Sequence, residues 1–153
     1  MLNFLYRCVF KVLYIGAIIA WRILRISSRG TFVGVWYDGK ILLLRTSYKR
    51  DFGFPGGMVD RNESYIDAAV RELYEEAHIT ATTEQLKFIK EIPSKTTRNI
   101  TCLYELYLDE APDLQIDMRE IIWAEFVSLE DALSKPHLMD CVLDYLEEKK
   151  SQG

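Results

Sequence analysis

The chain has 153 residues, 49% hydrophobic and 27% charged, so it is long enough for one independently folded domain and too short for a second catalytic one. Its three cysteines, Cys8, Cys102 and Cys141, are widely spaced without a CxxC pair, which argues against a disulfide framework or a zinc site and favours a reducing, cytoplasmic setting. The net charge of −4 is uneven, because five of the 19 basic residues and none of the 23 acidic ones precede Asp38; the remainder carries −9, which argues against duplex nucleic acid as a partner.

Residues 1 to about 26 are predicted to form one helix, because they are rich in Leu, Ile, Phe and Tyr and lack proline. Helical spacing places the cations of this segment on one narrow stripe: Arg7, Lys11, Arg22 and Arg25. The apolar run 12–21 is about half the roughly 20 residues that a spanning helix needs, and Trp21 follows where a signal peptide needs small residues. Two interpretations stay open: an anchor on the inner membrane surface, attracted to anionic lipid, or a helix that packs on the domain or on a second copy in a homodimer.

The chain is thus expected to divide into this helical segment, residues 1–28, and a domain, residues 29–150. The domain begins with a hairpin whose strands, 31–37 and 40–46, flank an Asp-Gly turn. A loop, 47–54, and a tight Pro-Gly-Gly turn then precede a helix.

That helix is predicted to start after Ser64 and to run to about Ala77, with Asp67 where a capping box has Glu. Three further strands and a closing helix are predicted at 86–92, 99–108, 121–127 and 136–149, respectively. The expected fold class is α/β (α+β), a mixed sheet with helices on its faces.

The helix after Ser64 carries an acidic face beside its apolar one. At about 100° per residue, Glu72, Glu75 and Glu76 fall within an arc of about 100°. Carboxylates this close repel one another unless a cation lies among them, and their oxygens suit Mg²⁺ or Mn²⁺.

Arg71 lies one turn before Glu75 and can pair with it, while Glu63 can reach back to the same guanidinium. A run of this kind is also typical of a solvated helix face whose charges give only solubility. The spacing on its own leaves both interpretations open.

The stretch from Gly57 to Ile79 resembles the Nudix box, G-x5-E-x7-R-E-U-x-E-E-x-G-U, in which U is a bulky apolar residue. Every fixed position matches except His78, which stands where the family usually has glycine. This position ends the helix and needs left-handed backbone, which histidine tolerates better than most residues. The preceding Phe-Pro-Gly resembles the family's lead-in and 119–129 its late strand, so the resemblance covers roughly residues 31–130.

The resemblance implies a metal-dependent pyrophosphatase that cleaves a diphosphate bond in a nucleotide. The metal ligands it implies for Mg²⁺ or Mn²⁺ are Glu72, Glu75, Glu76 and the main-chain carbonyl of Gly56. It also implies that Arg71 orients these acids. The general base varies across the family, and the candidates are Glu75 and Glu120; Glu120 can equally be read as a surface acid.

The loop before the box contains aromatic and cationic residues that could contact a base and a distal phosphate: Tyr48, Lys49, Arg50 and Phe52. A plain solvent loop is the alternative. Sugar nucleotides, dinucleotide polyphosphates, dinucleotide cofactors and oxidised nucleoside triphosphates all fit the pattern. The alternative function is a membrane-associated nucleotide-binding module on the same fold without turnover, although such members usually lose box glutamates.

Overall fold

The structure, a computed structural model, describes residues 29–93 and 100–152, together with five helical residues near the N-terminus: Tyr6, Val9, Val12, Leu13 and Gly16. The rest of the helix predicted over residues 1–26, and the predicted division at residue 28, lie outside the described residues. Within the described part of the chain, no helix is long and apolar enough to cross a membrane.

The described domain is a mixed sheet of six strands between helices. The strands are β1 (Arg29–Tyr37), β2 (Lys40–Thr46), β3 (Phe52–Gly53), β4 (Lys87–Pro93), β5 (Ile100–Leu108) and β6 (Ile121–Val127). The helices are α1 (Tyr65–Ala77), α2 (Leu129–Ser134) and α3 (Asp140–Gln152), with a 3₁₀ turn at Thr83–Gln85. The predicted α/β (α+β) class is confirmed.

The sheet brings the start of β6 beside the end of β2. The strand order is β3-β2-β1-β5-β4, with β1 parallel to β5 and β6 added antiparallel on β2. The pairing of Ile121 with Thr46, and a 2.7 Å hydrogen bond from the Ser47 N–H to the carbonyl of Glu120, place Glu120 beside the loop that follows β2. Residues far apart in sequence thus meet at this corner.

Two apolar layers cover the sheet, one on each face, and the alternation along β2 shows how they form. Leu42 and Leu44 point into the core beneath α1, whereas Ile41 and Leu43 belong to the core beneath α2 and α3. Successive side chains of a strand point to opposite faces, so a strand buried on both sides is apolar throughout. α1 therefore packs on a sheet that is buried on both faces.

The closing helix was predicted to begin near Pro136, which was wrong by about a turn. The segment before α3 pairs with β3 instead: the Phe52 N–H donates to the His137 carbonyl at 2.8 Å, and the Met139 N–H to the Phe52 carbonyl at 3.0 Å. These bonds, together with a bridge between Phe52 and Leu138, keep this segment out of the helix, which begins at Asp140. Neither β3 nor α2 was predicted, because β3 has only two residues and α2 six.

A buried carboxylate ties α3 to the sheet. Glu105 on β5 is 1% exposed; it accepts a hydrogen bond from the Tyr145 hydroxyl at 2.6 Å and forms an ion pair with Lys149 at 2.5 Å. Burial raises the pKa of Tyr145, and its hydrogen bond to Glu105 adds to the effect. Paired in this way, the buried charge fixes the helix whose N-terminus borders the site described next.

Candidate active site

The start of α1 is fixed by Ser64 and Asp67. The Ser64 hydroxyl accepts the Asp67 N–H at 3.2 Å and donates to the Asp67 carboxylate at 2.5 Å. A capping box would instead send the acid to the backbone N–H of the cap residue, which the longer side chain of Glu reaches. The shorter Asp still satisfies one of the free N–H groups at the helix start.

The end of α1 confirms that His78 takes the role of the family's glycine. Its φ and ψ are 59° and 27°, in the left-handed region. The N–H groups of His78 and Ile79 donate to the carbonyls of Tyr74 and Leu73 at 3.0 and 3.1 Å, and Ile79 enters the core at 3% exposure. The substitution therefore preserves both the helix end and the phase of the acidic face.

The turn at residues 55–57 runs alongside β1. The Thr31 N–H donates to the Gly57 carbonyl and the Val33 N–H to the Pro55 carbonyl, both at 2.9 Å. The Gly56 N–H, in the same peptide as the Pro55 carbonyl, points away from β1 and donates to the Glu76 carboxylate at 2.7 Å. The turn thus carries a main-chain donor to the acidic face of α1.

Both glycines of this turn are required by space. Gly56 has a φ of 148°, and a Cβ there would overlap the carbonyl oxygen of Thr31. At Gly57 a Cβ would overlap the carboxylate of Glu72. The turn can therefore lie against the backbone of β1 at Gly56, and Gly57 leaves room for the Glu72 carboxylate in its present position.

Arg71 is the centre of an ion-pair network on α1. Its Nε and Nη2 donate to the two oxygens of Glu63 at 2.9 and 3.1 Å, and its Nη1 donates to Glu72 at 2.9 Å and Glu75 at 3.0 Å. Its Nη2 also donates to the carbonyl of Met58 at 2.9 Å. Hydrogen bonding to Arg71 lowers the pKa of Glu63. The predicted pairing with both Glu63 and Glu75 is present, and it holds the box loop against the helix.

Glu72 and Glu76 lie together in a poorly solvated environment. Burial raises the pKa of Glu72, and burial raises that of Glu76 well above its ordinary value. The nearby charge of Glu120 raises both values further, while Arg71 lowers that of Glu72 and the Gly56 N–H lowers that of Glu76. Three carboxylates from two separate parts of the chain therefore converge on one region.

Glu120 is held in place from two directions. The Tyr48 hydroxyl donates to its Oε1 at 2.8 Å, and the Asp117 carboxylate accepts the N–H groups of Arg119 at 2.9 Å, Glu120 at 3.0 Å and Ile121 at 3.2 Å. Sequence reasoning missed Asp117. An aspartate a few residues before a strand is a signal for this kind of turn, because its side chain can bond nearby N–H groups.

A cavity opens beside Glu76 and Gly56. Tyr48 and Lys49 line it from the loop after β2, and the charge of Lys49 lowers the pKa of Glu76. Thr46 also lines this cavity, and its hydroxyl is buried and has no hydrogen-bond partner among the described residues. An unsatisfied buried hydroxyl in a polar cavity indicates a place for a polar ligand or water.

The predicted substrate loop is only partly drawn into this cavity. Tyr48 and Lys49 line it, whereas Arg50 is exposed and is not among its lining residues. Phe52 packs edge-on against Trp123, with ring centroids 5.1 Å apart. Two other lining residues, Phe32 and Met139, were not predicted because they come from β1 and from the segment before α3. No local motif marks them.

The carboxylates of the site are the donors available to a divalent cation. Among residues 29–93, 100–152 and the five near the N-terminus, no three acidic, histidine or cysteine side chains form a ready-made metal-binding group. Glu75 pairs with Arg71 and its side chain is 55% exposed, while Glu76 accepts from Gly56. Mg²⁺ commonly uses only one or two carboxylates and completes its shell with water and substrate phosphate, so the carboxylates and the unsatisfied hydroxyl fit such an ion.

Comparison with known proteins shows the family. The NUDIX domain model matches residues 28–144, so the chain belongs to the Nudix family and is a Nudix-type pyrophosphohydrolase. No curated protein matches the chain.

Solved structures show the same fold. The MutT protein of Methanosarcina mazei Go1 is 24% identical with a TM-score of 0.67, covering 82% of this chain and 94% of its own. The NUDIX domain of Shewanella oneidensis NrtR, solved with ADP ribose, is 18% identical with a TM-score of 0.69, covering 83% and 88%. A bifunctional NMN adenylyltransferase/ADP ribose pyrophosphatase of Francisella tularensis, solved with AMP and a Mn ion, is 21% identical with a TM-score of 0.68, covering 90% of this chain and 47% of its own.

Proposed function

We propose that this protein is a metal-dependent hydrolase that cleaves the diphosphate bond of a nucleoside diphosphate linked to another moiety. The observation that carries the proposal is a set of contacts: Gly56 donates to Glu76 and lines a cavity with it and with Tyr48, the Tyr48 hydroxyl donates to Glu120, and the Glu72 carboxylate lies against Gly57. Related folds solved with ADP ribose, or with AMP and a Mn ion, support a nucleotide substrate and a divalent metal.

The proposed metal is Mg²⁺, with Mn²⁺ as an alternative. Its ligands in this proposal are Glu72, Glu75, Glu76 and the main-chain carbonyl of Gly56. The carbonyls of Pro55 and Gly57, on either side of Gly56, accept hydrogen bonds from β1. This supports a Gly56 carbonyl that points away from β1. When bound, such an ion neutralises phosphate oxygens and orients the substrate for in-line attack by water.

The chain's own groups supply the remaining functions. Arg71 keeps the box carboxylates in position through its four partners, and Lys49 can meet a phosphate at the cavity while Tyr48 supplies an aromatic ring there. Contacts of Arg50 and Phe52 with substrate stay predictions. The protein is proposed to act in the cytoplasm on a small nucleotide-like substrate, with residues 1–26 at the inner face of the membrane rather than in a homodimer.

We propose Glu120 as the general base and keep Glu75 as the competing candidate. Glu120 lies near Glu72 and Glu76 and is positioned by Tyr48, whereas Glu75 is half exposed and paired with Arg71. Glu120→Gln is expected to lower kcat by about 10²-fold and Glu75→Gln by less, measured as initial rates across pH. A larger loss for Glu75→Gln, with Glu120→Gln near the unchanged rate, would reverse the assignment.

A screen for phosphomonoester products, read as phosphate released by an added phosphatase that acts on the products and not on the diphosphates, tests the hydrolase proposal. The intact chain is offered sugar nucleotides, dinucleotide polyphosphates, dinucleotide cofactors and oxidised nucleoside triphosphates, with Mg²⁺, with Mn²⁺ and with EDTA. We expect at least one diphosphate to be cleaved with metal, loss of turnover with EDTA, and recovery when metal is returned. Binding of a nucleotide without product from any substrate would favour the binding module instead.

Metal binding is expected to be tighter in the presence of a substrate analogue. Because no complete cage is present among the described side chains, Mg²⁺ is expected to bind weakly alone and more tightly with a non-hydrolysable diphosphate, as measured by titration calorimetry.

A further inference from the structure

The described residues near the N-terminus form an exposed apolar face. Tyr6, Val9, Val12 and Leu13 are helical, and at about 100° per residue they fall within an arc of about 120°. Their exposures are 41%, 46%, 69% and 62%, respectively. A contiguous apolar face exposed to this degree on one helix indicates a contact surface, whereas scattered single exposures would not.

The charge of this segment selects the partner. No acidic residue precedes Asp38, whereas the rest of the chain carries −9. In a helix over residues 1–26, as the sequence predicts, Arg7, Lys11, Arg22 and Arg25 would lie on the side opposite the apolar face. A helix that combines an apolar face with a cationic one suits the interface of an anionic bilayer, and an acidic domain would by itself be repelled from that surface.

One contact places Tyr6 beside the residues that precede β6. The guanidinium of Arg119 lies over the Tyr6 ring at 4.8 Å from its centroid. Arg119 directly precedes Glu120, whose carboxylate accepts the hydroxyl of Tyr48, a residue that lines the cavity beside Glu76. Met118, on the other side of Arg119, is 44% exposed. The helix is therefore adjacent to the corner where β6 begins.

We propose that the face formed by Tyr6, Val9, Val12 and Leu13 docks on an anionic lipid bilayer and holds the Glu120 corner of the active site beside the membrane surface. The docked enzyme takes its substrate from the layer of solution at that surface. The docking requires no hydrolysis, so it is measured without substrate and stands or falls separately from the proposed reaction.

Cosedimentation of the full chain with vesicles tests the docking. We expect binding to vesicles that contain phosphatidylglycerol, weaker binding to pure phosphatidylcholine, and release at high salt. The double variant Val12→Asp, Leu13→Asp is expected to lose about tenfold or more in vesicle partitioning, whereas the matched control Val12→Leu, Leu13→Val keeps it, because only the first removes the apolar face. Both variants should retain the thermal unfolding midpoint of the domain.

The docking would be overturned by the absence of sedimentation with phosphatidylglycerol vesicles at low salt, or by equal binding of the Asp variant. A dimer in sedimentation velocity that the Asp variant dissociates would also overturn it, since the face would then bind a second copy. Hydrogen exchange tests the placement. Amides at 117–121 should exchange more slowly with vesicles while those at 145–152 do not change, and unchanged exchange at both would refute the adjacency.

Discussion

Glu76→Gln is expected to lower kcat/KM for diphosphate hydrolysis by about 10³-fold or more while the chain stays folded. The amide has nearly the shape of the carboxylate, and its oxygen can still accept the Gly56 N–H. What it removes is the negative charge that burial and the neighbouring carboxylates already make costly, as the raised pKa of Glu76 shows. The variant is therefore expected to lose catalytic activity and to keep its fold.

The Glu76→Gln variant is also expected to keep or gain stability. With one fewer charge among Glu72, Glu76 and Glu120, repulsion in the metal-free protein falls, so the thermal unfolding midpoint should stay the same or rise. The matched control is Glu130→Gln, the same chemical change at an exposed position of α2. It should leave the rate unchanged. Full activity in Glu76→Gln would remove this residue from the machinery, and an unfolded variant would contradict the structural reading of the site.

Much of the fold followed from short-range patterns. The strand predictions at 31–37, 40–46 and 121–127 agree with β1, β2 and β6 within two residues, because alternation and turn chemistry act locally. The end of α1 at Ala77 followed in the same way, since His78 could be recognised as a position that needs left-handed backbone. Local propensity failed at α3, where pairing of residues 137–139 with β3 overrides a plausible helix start.

The residues of the active site also divide into those that local spacing could group and those that only the folded sheet brings together. Residues that share one helix, such as Arg71, Glu72 and Glu76, could be grouped by spacing, because the helix itself sets their distances. The Gly56 N–H that reaches Glu76, and the Tyr48 hydroxyl that reaches Glu120, cross between segments that are adjacent only in the folded sheet. No spacing rule predicts such contacts. The pairing of Arg71 with Glu75, four residues apart on one helix, was by contrast predicted from spacing.

Arg71→Gln is expected to reduce both stability and turnover. The guanidinium donates to three carboxylates and to the carbonyl of Met58, so its loss leaves Glu63 and Glu72 without their cation. Because Arg71 is 29% exposed, the free energy of unfolding should fall by about 2–3 kcal/mol, less than for a fully buried pair. kcat/KM should fall by about 10³-fold, since the acids lose their alignment even in molecules that remain folded.

Arg71→Lys separates charge from geometry. Lysine keeps the positive charge but cannot span Glu63 with two donors while bonding Glu72 and Glu75, so part of the stability should return and little of the rate. Chemical denaturation gives the stability and initial rates give the turnover, each against Arg61→Gln, which alters an exposed arginine in the turn before α1. Full activity in Arg71→Lys would show that Arg71 acts as a charge alone. A rate loss in Arg61→Gln equal to that of Arg71→Gln would show that the network of α1 has no special part in turnover.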